Sequence, residues 1–364
     1  MRVLVAPDCF AGTLSAAAAA AAMAVGWQSV RPGDEVVVLP MSDGGPGFLD
    51  CLPGTAVTVT VEDPLARPIP ARFLLDGTTA YVESALACGL DLVDTSDRDV
   101  GASTTYGVGQ LVREAVAAGA SRVMVGLGGS ATNDGGSGFL AALGVRREDA
   151  AGERLRPGGL ALCDAARLVG KPVLDGVELV AATDVDAPLL GAHGASAVYG
   201  RQKGASAADV AALESALGHW ADLLEGHLSV AARDRPGAGA AGGLGFAMLA
   251  VGGTRVAGVD VVAKAVGLAD AIAAADLVLT GEGSFDGQSL RGKVVAGVAR
   301  AALAQGLPCV VLAGQVSVGR REAATAGVEA SYSLVEACGR ERALTDPAGA
   351  LAELAAVVAR EWGS

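Results

Sequence analysis

With 364 residues the chain is long enough for two domains, each with its own buried core. Apolar residues make up 51% and charged ones 18%, which excludes a disordered chain, and a formal charge of -13 without any cluster of Lys or Arg excludes a nucleic-acid footprint. The six cysteines stand apart, with neither a CxxC pair nor zinc-ligand spacing, so they read as free thiols of a reducing compartment and the protein as cytoplasmic.

Arg2 to Ala6 reads as a buried strand that ends at Pro7-Asp8, and Ser15 caps an alanine run, Ala16 to Ala22, of high helix propensity. Pro7 and Asp8 also break any apolar core of a signal peptide. Glu35 to Leu39 is a second strand, followed by the loop Asp43-Gly44-Gly45-Pro46-Gly47. This β-α-β opening points to a parallel, doubly wound sheet. From Thr55 to Val82 the chain alternates, carries three prolines and reads as an antiparallel meander, with a domain boundary nearby. A helix from Gly107 to Ala118, a strand from Arg122 to Gly126, a glycine-rich loop and a helix ending at Gly144 follow. Arg147 to Pro172 is polar and loop-like before the strand Glu178 to Ala182 and a long helix from Ala207 to Leu228. Gly237 to Thr254 carries no charge but is mostly Gly and Ala, too weakly apolar for a membrane helix. The strand Asp276 to Thr280, the helix Val294 to Gln305, the strand Cys309 to Leu312 and a last helix from Ala348 to Trp362 restore the β-α-β alternation. The layout expected is one α/β domain built from both chain ends with a second α/β domain inserted.

Five strand ends carry glycine with a carboxylate: Asp8; Asp43; Asp134; Asp184 with Asp186; and Glu282 with Asp286. Ligands of open α/β sheets bind beyond the carboxyl ends of the strands, and carboxylates there hold Mg²⁺ or accept a substrate proton. Asp and Gly also simply make turns. In Gly126–Gly136 the glycines, Gly128 and Gly129 among them, let backbone N–H groups approach phosphate oxygens, and Ser130, Thr132 and Asn133 add donors. The loop contains GxGxxA, but no acidic residue ends a second strand about twenty positions on, so a phosphate cradle is favoured over NAD. The string Gly237 to Gly243 follows RDRP rather than a strand, and reads equally as an anion nest or as close helix packing. Gly287 to Val294 is almost a Walker loop, except that Val294 replaces the hydroxyl residue that would meet Mg²⁺. Of only four lysines, Lys203 and Lys293 sit beside glycine in loops, where a point charge can neutralise phosphate.

The ordered motifs APDCFAGTLSA, SDGGPG, GLGGSATNDGGSG, ATDVDAPLLGAHGAS, YGRQKGA, PGAGAAGGLG, GVDVV and TGEGSFDGQSLRGK span nearly the whole chain. Together they resemble the bacterial glycerate kinases that lack a P-loop. The resemblance implies a flavodoxin-like domain of residues 1–60 and 255–364, an inserted α/β domain of residues 61–254 and a site between them. It implies ATP and Mg²⁺ dependence, with D-glycerate as acceptor and 2-phosphoglycerate as product. On this reading Asp184 and Asp186 serve the metal or the substrate hydroxyl, and Lys203 and Lys293 clamp phosphate oxygens. Residues 126–136, with Gly128, Gly129, Ser130, Thr132, Asn133 and Asp134, hold a phosphate or carboxylate, and Asp8, Asp43, Glu282 and Asp286 complete the rim. The chain departs from the family pattern at Ala11, Pro46 and Ser284, where relatives carry lysine, glutamate and arginine; Arg201 and Arg291 are the candidate replacement cations. A different small hydroxy acid or polyol as acceptor, or an inactive relative acting as a sensor, are the alternatives. Both a monomer and a homodimer remain open.

Overall fold

The Val-rich runs β1 (Arg2–Val5) and β2 (Glu35–Val38) pair in parallel, joined by the helix Ala16–Val30. That helix starts where expected, with the Ser15 hydroxyl accepting from the Ala18 amide at 3.2 Å. It buries Ala16, Ala19, Ala20, Met23 and Trp27, the spacing of a single helical face. In the computed structural model, residues 1–10, 12–290 and 293–363 are described. The chain divides into two units: Met1–Asp43, Asp50–Leu52 and Ala257–Ser364 form the first, and Gly44–Leu49 with Pro53–Val256 the second. An expected boundary at residue 60 falls inside β3, whose whole length pairs within the second unit.

The second unit begins with the antiparallel meander β3 (Thr55–Glu62), β4 (Pro68–Asp76) and β5 (Thr79–Glu83). Next come β6 (Arg122–Gly126), a two-stranded ribbon of β7 (Arg146–Glu148) and β8 (Arg167–Val169), then β9 (Glu178–Ala182) and β10 (Thr254–Val256). Its main sheet has the order β10-β9-β6-β5-β4-β3 and is parallel from β5 to β10. Phe73, Val123, Phe139, Trp220 and Phe246 fill its core. The first unit resumes with β11 (Leu277–Phe285), β12 (Cys309–Val316) and β13 (Ala330–Ser333). Its sheet is β13-β12-β11-β1-β2, every neighbour parallel, which is the flavodoxin-like order. The order reverses between β1 and β11.

Several elements differ from the sequence reading. The polar stretch 147–172, expected as loop, supplies strand β8 and part of β7, because three-residue strands carry too few side chains to display a period. The strand expected to end at Thr280 runs on to Phe285, paired to β12 as far as Val316. Backbone pairing continues there after the apolar pattern has stopped, so Gly281, Glu282 and Ser284 are strand residues rather than loop. The charge-free segment holds Ala240–Ala250, every residue buried, in which a left-handed turn at 241–243 interrupts the helix. Among the described residues no helix is long and apolar enough to cross a membrane.

Gly26 marks the tightest packing of the first unit: a β-carbon there would overlap the backbone carbonyl of Ala352 on the helix Pro347–Trp362. Backbone cannot swing aside as a side chain can. Gly26→Ala should therefore lower stability by about 1–3 kcal/mol or more in urea unfolding, the cost of overpacking a core. Gly33→Ala, with nothing within 4 Å of the added carbon, should stay within about 0.5 kcal/mol of the parent.

Candidate active site

In the second unit the loop after β6 is organised from within. Asp134 is fully buried, and its carboxylate accepts from the Thr105 amide (2.9 Å), the Thr105 hydroxyl (3.0 Å), the Gly136 and Gly138 amides (3.0 Å each) and, more distantly, the Thr104 hydroxyl (3.4 Å). Asn133, also fully buried, donates to the Ser196 hydroxyl at 2.8 Å, and the Trp220 indole donates to the Gly135 carbonyl at 2.9 Å. Asp134 thus acts as the internal scaffold of the loop, and Asn133 ties it to Ser196, while the buried Asn133 Oδ1 and Thr132 hydroxyl accept or donate no hydrogen bond among the described residues. A β-carbon on Gly242 would overlap the Thr132 carbonyl, and Gly135 donates to the Gly242 carbonyl at 3.0 Å. Close packing against this loop is therefore what the glycine string requires. Gly44, at φ +94°, approaches the second unit's strand ends in the same way, its carbonyl accepting from the Gly128 amide at 3.0 Å.

The scaffold leaves a cavity of roughly 110 Å³ among Gly128, Gly129, Ser130, Tyr199, Lys203 and Ala241. Lys203 comes from the single turn Arg201–Lys203 and is only 3% exposed. Its ammonium donates to the Ser130 hydroxyl (2.9 Å) and the Thr132 carbonyl (2.6 Å), which leaves one N–H of the three for a ligand. Burial pulls its pKa down to about 8, and the Asp134 carboxylate holds part of that fall back. Ala241 stands at φ +50°, the first of three consecutive left-handed residues with Gly242 and Gly243. A non-glycine residue in that region is strained, and such strain gathers where a site needs a fixed backbone. Tyr199, Gln202, Val185 and Ala241 line this cavity and are absent from the sequence-based set. All four lie inside recognised motifs, but Val185 and Ala241 carry no polar group and Tyr199 and Gln202 no charge to single them out.

The remaining residues expected in this unit are placed differently. Asp186 is exposed and ion-paired to the Arg255 guanidinium at 2.7 Å, while Asp184 is half-buried. Arg201 is exposed and does not line the cavity that Lys203 enters. Among the described residues no group of three His, Cys, Asp or Glu side chains could hold a metal ion. Mg²⁺ in kinases keeps waters and phosphate oxygens and takes only one or two carboxylates. The described side chains form no closed all-protein cage, and Asp186 is already engaged by Arg255.

The first unit gathers carboxylates at the reversal of its strand order. Asp8 follows β1, with its amide donating to the Gly281 carbonyl at 2.8 Å and its carboxylate accepting from the Cys9 amide at 2.7 Å. Burial, then the negative charge of Asp43 and of Glu282, pushes Asp8 up to about 7. Glu282 on β11 is pushed up to about 7 by burial, and less by Asp286 and Asp43, against the pull of the Ser289 hydroxyl and of Lys293. Asp286 is half-buried and accepts from the Gln288 amide at 2.8 Å, closing a turn. Lys293 is half-buried at the start of the helix Val294–Ala304. Burial and Asp8 push the Cys9 thiol up to about 12, so it packs rather than reacts. Arg291 and Ala11 lie outside the described residues.

The sequence profile of the glycerate kinase family matches residues 3–363. The chain belongs to the glycerate kinase family. A glycerate kinase of Bacillus subtilis is 41% identical over 345 residues, covering 92% of this chain and 90% of that protein. A glycerate 2-kinase of Escherichia coli is 37% identical over 351 residues, covering 93% of this chain and 92% of that protein. A crystal structure from Salmonella typhimurium LT2, described as a candidate glycerate kinase 2, superposes with a TM-score of 0.84 at 36% identity, covering 100% of this chain and 98% of that one. Membership of the glycerate kinase family makes this chain an enzyme of phosphoryl transfer, and the Lys203 cavity and the Asp8 group are its two chemically distinct features.

Raised carboxylate pKa values carry a stability signature. Glu282 ionises at about 4.5 when unfolded and near 7 when folded, so between those values the folded state binds the extra proton and stability falls as pH rises. In thermal melts without nucleotide, Glu282→Gln should gain on the parent protein as pH is raised from about 4.5 to about 7, with a constant difference beyond. A difference that does not change across this window would show Glu282 ionising normally.

Proposed function

We propose that the chain transfers the γ-phosphoryl group of ATP to D-glycerate, giving 2-phosphoglycerate. The observation that carries this is the buried ammonium of Lys203, held by Ser130 and the Thr132 carbonyl at the edge of a glycine-lined cavity. A cation with two fixed partners and one donor left over favours an anionic oxygen, of a phosphoryl group or of the acid's carboxylate. The name of the Escherichia coli relative, glycerate 2-kinase, supports the 2-position as acceptor.

Phosphoryl transfer asks the protein mainly to position two reactants and to neutralise charge on the moving group. In this reading Lys203, Ser130 and the amides of Gly128 and Gly129 hold one anionic group. Lys293, at the start of the helix Val294–Ala304, adds charge to a second phosphate contact, favoured by the helix N-terminus beneath it. Asp184 and Asp186 hold Mg²⁺, which supplies neutralisation of the phosphate oxygens when bound. Arg201 and Arg291 remain candidates for the cations that Ala11 and Ser284 omit.

Purified protein with Mg²⁺-ATP should form ADP on addition of D-glycerate, and EDTA should abolish it. Lys203→Met should lower kcat by about 100-fold or more, as expected when one preorganised charge donor is lost, and Lys293→Met should also lower it. The exposed Lys171 and Lys264 should tolerate the same change. Small and equal losses at all four lysines would defeat the assignment; a panel of hydroxy acids and polyols that yields no ADP would defeat the kinase reading itself.

A further inference from the structure

We propose that Asp8, paired with Glu282, is the base that accepts the proton of the acceptor hydroxyl. This rests on the kinase reading above and assigns a step that reading left open.

Val5 stands opposite Leu279, and the bonds from the Ala6 amide to the Leu279 carbonyl and from the Asp8 amide to the Gly281 carbonyl, each 2.8 Å, carry the pairing onward. Asp8 and Glu282 therefore leave adjacent parallel strands side by side. Those strands are β1 and β11, between which the strand order reverses. That gap is where open α/β sheets bind their ligands, beyond the carboxyl ends of the strands.

Both carboxyls are largely shielded, at 9% and 7% exposure. Buried carboxylates normally spend their oxygens on hydrogen bonds, as Asp134 does in the other unit. Glu282 departs from this in part: the Ser289 hydroxyl serves its carboxyl, but its Oε1 is shielded from solvent and accepts no hydrogen bond among the described residues. A purely structural carboxylate gains nothing from such an oxygen, whereas one awaiting a proton or a substrate hydroxyl needs it. Two neighbouring buried carboxylates cannot both ionise at low cost, so the pair holds one proton and presents one basic oxygen near neutrality.

The surrounding charges keep the pair in that range. Asp43, after β2, adds negative charge toward Asp8, and Asp286 does so toward Glu282. Lys293 opposes them from the helix Val294–Ala304. The Cys9 thiol, with Cys51 beside it, faces Asp8 and stays neutral. A base whose affinity for protons matches the working pH is the most effective kind.

In the step itself the O–H bond of the acceptor breaks and its proton passes to the Asp8 carboxylate. The freed oxygen forms its bond to the γ-phosphorus. The bond from that phosphorus to the bridging oxygen breaks, and ADP departs with the electron pair.

The test is the pH profile of acceptor turnover in the full-length protein with Mg²⁺-ATP. The parent protein should lose kcat/KM on the acid side with an apparent pKa near 7, a value belonging to the pair. Asp8→Asn should cut kcat by about 100-fold or more with little change in KM for ATP, as loss of a general base does. The same variant should melt no lower than the parent at pH 8, where the parent carries the repelling charge. Glu282→Gln should move the acid limb to lower pH, because one neighbouring negative charge is gone. An active parent whose Asp8→Asn variant keeps its turnover, or whose acid limb stays fixed in Glu282→Gln, overturns the base assignment alone. A parent that phosphorylates no hydroxy acid overturns the kinase reading, and the base with it.

Discussion

The carboxylate of Asp134 is the fixture on which the second unit's chemistry hangs. It draws amides and hydroxyls from two stretches of chain, Thr104–Thr105 and Gly136–Gly138, onto one buried point. A lone buried charge is costly, and hydrogen bonds from several donors offset that cost. Two buried cations, Lys203 and Arg147, also feel its field, each pulled down by burial and partly restored by Asp134. A buried cation of this kind gains from an anionic partner. Arg147 is occupied with the Ser137 hydroxyl at 2.7 Å, so the open demand falls on Lys203, which faces the cavity. Phosphoryl or carboxylate oxygen is the chemistry that meets it.

The first unit gathers the opposite charge. At its strand reversal, Asp8 and Glu282 are pushed up by burial and by neighbouring negative charge. One unit thus offers a buried ammonium at a small glycine-lined cavity, and the other offers basic oxygens held near neutrality. A kinase acting on a small acid needs both: cations that favour charged oxygens, and an acceptor for one proton. Neither arrangement improves folding, which is why each points to function rather than stability.

How far the sequence could be read depended on what each residue's signal meant. Apolar runs placed β1, β6 and β9, and the helix Ala207–Leu228 was placed as well, each within a residue of its observed bounds. That signal failed at β11, where Gly281 to Ser284 extends the ladder through backbone bonds that leave no mark in side-chain pattern. The glycine loops were legible as motifs, yet their polar residues misled. Asp134 looks like a ligand donor in a string, yet its carboxylate holds the loop together from inside, as the amide of Asn133 also does toward Ser196. Lys203 was legible because lysine is scarce and this one sits beside glycine; its burial was not, since that depends on residues far away in sequence. The pairing of Asp8 with Glu282, 274 positions apart, needed the sheet order to bring the chain ends together.

The central claim is that Lys203 is a buried, ligand-seeking ammonium, and the chain's four lysines make it directly observable. Lysine labelled with ¹⁵N should give few enough Nζ signals to follow each through a pH titration, with the Lys203 signal assigned by its loss in Lys203→Met. The account predicts that this signal titrates near 8 and moves on addition of D-glycerate or Mg²⁺-ATP. A Lys203 signal that titrates at the ordinary 10.5 and responds to neither ligand would contradict it.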